Sequence, residues 1–188
     1  MNGSIIINLE RCVGCGDCSL ICPVLVYTVS KPPCQNACPI GTDAQGYISL
    51  IAQGKFGEAL TLIRQTNPFA GIMGRVCTHP CEIECRRAEI DEPIAICALK
   101  RSAADYAEDV AKELTIAEEK GKKVAIVGGG PAGLMAAHDL RRLGYGVTIF
   151  DALPVLGGML AAGIPQYRLP REILEQDIAI IQKLGVEV

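Results

Sequence analysis

The sequence lacks the charge balance of a protein that binds nucleic acid or an anionic membrane. Its 18 Lys and Arg against 21 Asp and Glu leave a formal charge of −3, so no basic field attracts a polyanion. It also lacks a long apolar run. The most apolar stretch, residues 124–137, is shorter than a membrane span and is broken by four glycines, so no membrane span is expected. Ile5–Ile7 is too short for the core of an export signal and has no basic flank before it. We therefore expect a soluble, cytoplasmic chain. No nucleophile–base pair stands out, so no catalytic residue is assigned and chemistry is expected on a partner.

Against these absences stand ten cysteines in 188 residues. In a reducing compartment such a number points to metal rather than to a disulfide scaffold. Cys12, Cys15, Cys18 and Cys22 form C-x2-C-x2-C-x3-C followed by Pro23, the bacterial ferredoxin run. The tight spacing wraps three thiolates round one face of an iron–sulfur cubane, and the cysteine before the proline usually reaches a second cluster. Zinc sites instead tend to separate two ligand pairs by a longer loop. Cys34-x3-Cys38-Pro39 is half of such a run, and Cys77, Cys81 and Cys85 follow at three-residue gaps, then Cys97. Cys97 reads either as a ligand or as a small core residue beside Ile94, Ile96 and Leu99. His79, between Cys77 and Cys81, reads either as a ligand or as a group that hydrogen-bonds one. His138 is expected at the surface of a later helix.

Three segments emerge. Residues 1–40 hold six cysteines between short β-like runs, Ile5–Asn8 and Val24–Val29, and form a ferredoxin-like cluster segment. Residues 41–120 read as a helical iron–sulfur domain. Tyr47, Ile48, Leu50 and Ile51 share one helical face, as do Phe56, Ala59, Leu60, Leu62 and Ile63 beyond Gly54. A longer helix is expected from Pro93 to about Lys112. Residues 122–188 alternate: strand Lys123–Val127, helix Pro131–Leu143, strand Val147–Asp151, helix Arg171–Leu184, and the start of a third strand at Val186–Val188. Gly128, Gly130 and Gly133 make G-x-G-x-x-G between strand and helix, and Asp151 ends the next strand, where it would accept ribose hydroxyls. The fold class is α+β, with a ferredoxin-like N-terminus, a helical iron–sulfur domain and a truncated Rossmann-like βαβ tail.

The stretches CQNACPIGTDAQGYISLIAQGKFGEALTLIRQTNPFAGIMGRVCTHPCEIECRR, DEPIAICALKRSAADYA, VAIVGGGPAGLMAAHDLRRLGYGVTIFD and GGMLAAGIPQYRLP occur in that order. They resemble the N-terminal iron–sulfur domain, and the start of the FAD domain, of the glutamate synthase small subunit and dihydropyrimidine dehydrogenase family. The resemblance implies two [4Fe–4S] clusters in a helical domain that relay electrons to or from a flavin. It implies that Cys38, Cys77 and Cys81 share one cluster and that Cys34 and Cys85 share another. It also implies that the Gly128 turn and Gly157-Gly158 hold FAD. The sequence departs from the family pattern twice. No cysteine stands in residues 27–31, where the family has two. Lys100 stands near the position of a non-cysteine fourth ligand, and an ammonium cannot ligate iron. Cys97, one helical turn earlier on the same face, is a candidate replacement.

Ten cysteines are compatible with two [4Fe–4S] clusters and two spare thiols. They are equally compatible with three clusters built on Cys12, Cys15 and Cys18; on Cys22, Cys34 and Cys85; and on Cys38, Cys77, Cys81 and Cys97. With the Rossmann-like unit read as truncated, FAD is disfavoured, and its exposed apolar residues Met159, Leu160, Ile164 and Leu169 need a cover. We expect an electron-transfer subunit that serves a larger catalytic oxidoreductase subunit and a donor or acceptor protein. It resembles the small subunits that feed large reductases, such as class II (tungsten) benzoyl-CoA reductases. Two alternatives are the N-terminal part of an FAD-dependent NAD(P)H oxidoreductase and a zinc-stabilised interaction module.

Overall fold

A computed structural model of the chain describes residues 31–107 and 114–188. The β-like runs near residues 5 and 24, and Cys12, Cys15, Cys18 and Cys22, lie outside the described residues. A short helix α1 (Pro33–Ala37) opens on Pro33, whose missing N–H costs a first-turn position nothing. Helix α2 (Ala44–Ala52) is capped by Asp43, whose carboxylate accepts from the Gly46 N–H at 2.9 Å. Gly54, at φ +75°, turns the chain into α3 (Phe56–Arg64). The two helices bury Ala44 and Tyr47 against Ala59, Leu60 and Ile63. They approach closely because Gly46 has no side chain: a Cβ there would come within 2.7 Å of Leu62.

Helices α4 (Ala70–Val76), α5 (Pro80–Ile83) and α6 (Ile96–Tyr106) complete the helical part, with a 3₁₀ turn at Arg86–Glu89. The expected start of α6 at Pro93 is corrected: the helix begins at Ile96. Its first turn is closed from a distance, since the Glu82 carboxylate of α5 accepts the Cys97 N–H at 2.8 Å. A carboxylate fifteen residues upstream leaves no local start signal.

The second part is the βαβ unit: β1 (Lys123–Val127), α7 (Pro131–Arg142) and β2 (Gly146–Phe150). The strands are parallel, with Lys123 opposite Gly146 and Val127 opposite Phe150. Gly144, at φ +85°, stops the turn after α7, and a Cβ there would strike the Glu118 carbonyl. After α8 (Met159–Ala162) and α9 (Arg171–Lys183), Glu187 bridges to Thr148 on the free edge of β2, so the expected third strand begins in parallel. Leu134, Ala137 and His138 form the buried stripe of α7. His138 is therefore not a surface residue. It falls at the i, i+4 position from Leu134 and is fully buried, with Nδ1 2.8 Å from the Asp139 carboxylate. Leu169, expected to be exposed, is buried in the core with Leu174 and Ile178, whereas Met159 is exposed.

Helix α4 joins the two parts. Phe69 and Ile72 belong to the core of the βαβ unit, with Leu134, Ile149, Leu174 and Ile178. Gly71 lies against Ile173 of α9, where a Cβ would come within 2.9 Å, and Gly74 lies against the Arg101 backbone of α6, where it would come within 2.7 Å. Asp177 of α9 accepts the Ile72 N–H at 2.9 Å, and Arg142 of α7 donates to the Gln65 carbonyl at 2.7 Å. Burial pushes the Asp177 carboxyl up to about 6, against the pull of the Ile72 N–H and the Arg64 guanidinium.

Two outcomes follow from this seam. Gly74→Ala should cost about 1–3 kcal/mol in denaturant unfolding, because the neighbour it meets is backbone and cannot swing aside. Asp177 binds its proton more tightly folded than unfolded, so its share of stability is full below 3.8 and lost as pH rises through about 6. Asp177→Asn stays neutral. Its unfolding free energy relative to the parent should therefore improve, by up to about 3 kcal/mol, between about pH 4 and pH 7.

Candidate iron–sulfur centre

Six cysteines lie in the described residues, and all are free thiols. Cys34 sits in α1 and Cys38 at its end. Cys77 ends α4, Cys81 lies in α5, Cys85 precedes the 3₁₀ turn, and Cys97 lies in the first turn of α6. Helix α1 packs on α5, and α4 and α5 pack on α6, so the topology gathers them on one side of the helical part.

They fall into two groups. Cys34 and Cys85 lie within electrostatic reach of each other: burial raises the Cys34 thiol, N–H donors oppose this, and Cys85 adds to the rise. Cys38, Cys77, Cys81 and Cys97 form the other. Burial pushes the Cys81 thiol up to about 11, with Cys77 and Cys38 adding to the rise and the Lys100 ammonium opposing it. Burial also raises Cys97, Cys77 adds to the rise, and the Cys97 sulfur lies near the Met73 and Gly74 carbonyls at 3.5 and 3.6 Å. Cys38 behaves differently. Burial works against its thiolate, but the Thr42 N–H and hydroxyl, the Ile40 N–H and Lys100 outweigh it, and the thiol falls below its ordinary value. The Thr42 hydroxyl is 3.7 Å from its sulfur.

The loop from Cys77 to Cys81 is built to present sulfur. His79 has φ +43°, the only non-glycine with positive φ among the described residues, and Pro80 follows it to start α5. Such a conformation is strained for a side-chain-bearing residue and clusters at functional sites. It aims the His79 N–H at the Cys77 sulfur, 3.2 Å away. The His79 ring turns instead to Glu82, with Nδ1 3.3 Å from its carboxylate. Glu82 thus links His79 to the Cys97 N–H, a role with no mark in the sequence. Tyr47 was read only as a helix-face residue. It is fully buried, donates to the Ile96 carbonyl at 2.9 Å, and lies within reach of Cys81, Cys97, Cys34 and Cys38.

The donor set has the chemistry a cluster requires, since all six side chains are free thiols. Among the described residues no group of three His, Cys, Asp or Glu side chains converges tightly enough for a single ion. Thiolates round one zinc would sit roughly 4 Å apart at a Zn–S length of about 2.3 Å, whereas a cubane takes each thiolate on a separate iron. Buried thiols raised by desolvation are also poor thiolates alone and need a cation to hold their charge.

The glycine-rich turn is formed as its motif requires. Gly128 has φ +101°, Gly130 precedes α7, and a Cβ on Gly133 would come within 1.9 Å of the Gly128 carbonyl. Asp151 accepts from the Leu153 and Gly129 N–H groups, which hold its carboxyl below the usual carboxylate range. In this structure Asp151 ties down the turn. The Gly157 N–H donates to the Gly129 carbonyl at 2.8 Å, which packs the second glycine pair onto the first. No helix among the described residues is long and apolar enough to cross a membrane.

Residues 27–112 match the family model described as dihydropyrimidine dehydrogenase domain II, 4Fe-4S cluster. Residues 3–24 match a 4Fe-4S binding domain, and residues 126–171 an NAD(P)-binding Rossmann-like domain. The chain is 43% identical to the NADP(+)-dependent formate dehydrogenase subunit beta of Moorella thermoacetica, over 100% of this chain and 30% of that protein. It is 47% identical to the NADPH-Fe(3+) oxidoreductase subunit beta of Geobacter sulfurreducens, over 83% and 24%. It is 40% identical to the NAD-dependent dihydropyrimidine dehydrogenase subunit PreT of Escherichia coli, over 83% and 39%. The chain thus spans between about a quarter and two fifths of the length of these relatives. It therefore carries a domain that matches dihydropyrimidine dehydrogenase domain II, with a 4Fe-4S binding segment before it and an NAD(P)-binding Rossmann-like domain after it.

Proposed function

We propose that this chain relays electrons through [4Fe–4S] clusters between a nicotinamide-nucleotide oxidoreductase system and a larger catalytic subunit. The observation that carries the reading is the gathering of six cysteines from four helices and a 3₁₀ turn into two groups beside a Rossmann-like unit that shares α4 with them. Relatives named as beta subunits of NADP- or NADPH-linked oxidoreductases support it. Bound clusters would supply one-electron storage at potentials set by charge, hydrogen bonding and exposure.

The chain's own residues have distinct parts in this reading. Cys38, Cys77, Cys81 and Cys97 hold one cluster. Cys34 and Cys85 contribute to another, to which Cys22 is assigned, and Cys12, Cys15 and Cys18 hold the ferredoxin-type centre. The His79 N–H donates toward the Cys77 sulfur, the Thr42 hydroxyl lies beside the Cys38 sulfur, and Glu82 fixes the start of the helix that carries Cys97. Tyr47 fills the space between the two groups and keeps water out. The intact glycine turn favours a second reading, the N-terminal part of an FAD-dependent NAD(P)H oxidoreductase.

Anaerobically purified protein should contain roughly eight to twelve irons and as many acid-labile sulfides. Stoichiometric zinc without sulfide would overturn the proposal, and flavin in step with the iron would select the second reading. Cys97→Ala should remove or reshape one cluster signal in electron paramagnetic resonance, with a loss of up to about four irons. An unchanged spectrum at full iron would return Cys97 to the core.

A further inference from the structure

Lys100 is 5% exposed. It lies on α6, three residues after Cys97 and on the same face, beside Cys38 and Cys81. An ammonium is rarely buried this far unless a counter-charge is present, because an isolated charge in an apolar interior is strongly unfavourable. Among the described residues no carboxylate forms an ion pair with Lys100; the pairs of α6 run through Arg101 and Asp105. The groups its charge acts on are the sulfurs of Cys38, Cys81 and Cys97.

We infer that Lys100 is a positioning residue for the cluster held by Cys38, Cys77, Cys81 and Cys97: a built-in cation that raises its reduction potential above that of its neighbours. The inference rests on the cluster reading above. Three features separate this role from ligation or packing. An ammonium has no lone pair for iron. Its three N–H donors suit sulfur acceptors on several corners of one cage. Its burial limits how far solvent and salt screen the charge. On reduction one electron enters, no bond breaks and no proton is required, so the added negative charge stays at the cage. A fixed positive charge beside it favours the reduced form, and net charge and hydrogen bonds to the sulfurs are among the factors that set such potentials. Beside Cys34 and Cys85 the cation is Arg87, which acts on Cys85 from an exposed position where solvent and salt screen it. Lys100 thus makes the two sites unequal, and the Lys100 site becomes the one where an electron rests.

The test uses the full chain, purified anaerobically as the parent, Lys100→Met and Lys100→Arg, with iron and sulfide counted first. A dithionite titration is then followed by electron paramagnetic resonance. At a fixed potential, Lys100→Met should lower the reduced-to-oxidised ratio of one cluster signal about tenfold, a fall of about 59 mV for a one-electron couple. The other signals should hold their midpoints, and Lys100→Arg should restore most of the lost ratio. An unchanged midpoint in Lys100→Met at full iron overturns the inference, and so does an equal fall in both variants. If Lys100→Met loses iron, the arginine variant decides: full iron with a midpoint near the parent's supports the role, and loss from both variants makes Lys100 a packing residue. Failure of the cluster reading itself appears separately, as a parent protein without iron and sulfide.

Discussion

The structure depends on the close packing of one seven-residue helix, Ala70–Val76, on both of its sides. Gly71 lets α9 approach from the βαβ unit, and Gly74 lets α6 approach from the helical part. Ile72 lies in the apolar core of the βαβ unit, while Ala70 lies in that of the helical part. A larger side chain at either glycine would separate elements whose register positions the cysteines, since Cys77 ends this helix and Cys97 lies against its Met73 and Gly74 carbonyls.

The electrostatics of the cysteine region are those of a site completed by something cationic. Burial raises Cys34, Cys81 and Cys97, and only Cys38, served by Thr42, falls below its ordinary value. Because thiol ligands must lose their protons to bind metal, affinity here is tied to pH and to folding together. The buried Lys100 and the N–H groups near Cys38 and Cys77 are the protein's own contribution to that neutralisation.

Much of this was legible in the sequence where the signal is local. Strand Lys123–Val127 is placed as its apolar run indicates, and the helix from Pro131 and the second strand fall within a residue or so of expectation. The glycine turn takes the backbone its motif requires. The readings that failed needed contacts from afar. Helix α6 starts at Ile96 because Glu82 caps it from another helix. Leu169 is buried because α9 folds over it, although its own stretch reads as a loop. His138 carries a local clue to its burial: it shares the helical stripe of Leu134 and Ala137. For the candidate centre, the cysteines announce themselves by spacing, whereas Tyr47, Glu82 and Lys100 act only through the tertiary arrangement.

The helix shared by the two parts also bears on how the protein responds to damage. At about 1.5 Å per residue it is roughly 10 Å long, with Asp177 of the βαβ unit on one end and Cys77 on the other. A strut that short transmits displacement instead of absorbing it. In the proposed cluster reading, oxidative loss of iron at Cys77 would release the end of the helix, and the packing of Ile72 and Phe69 in the core of the βαβ unit would loosen with it. The two parts are therefore expected to fail together, so that air exposure removes the nucleotide-type fold along with the metal.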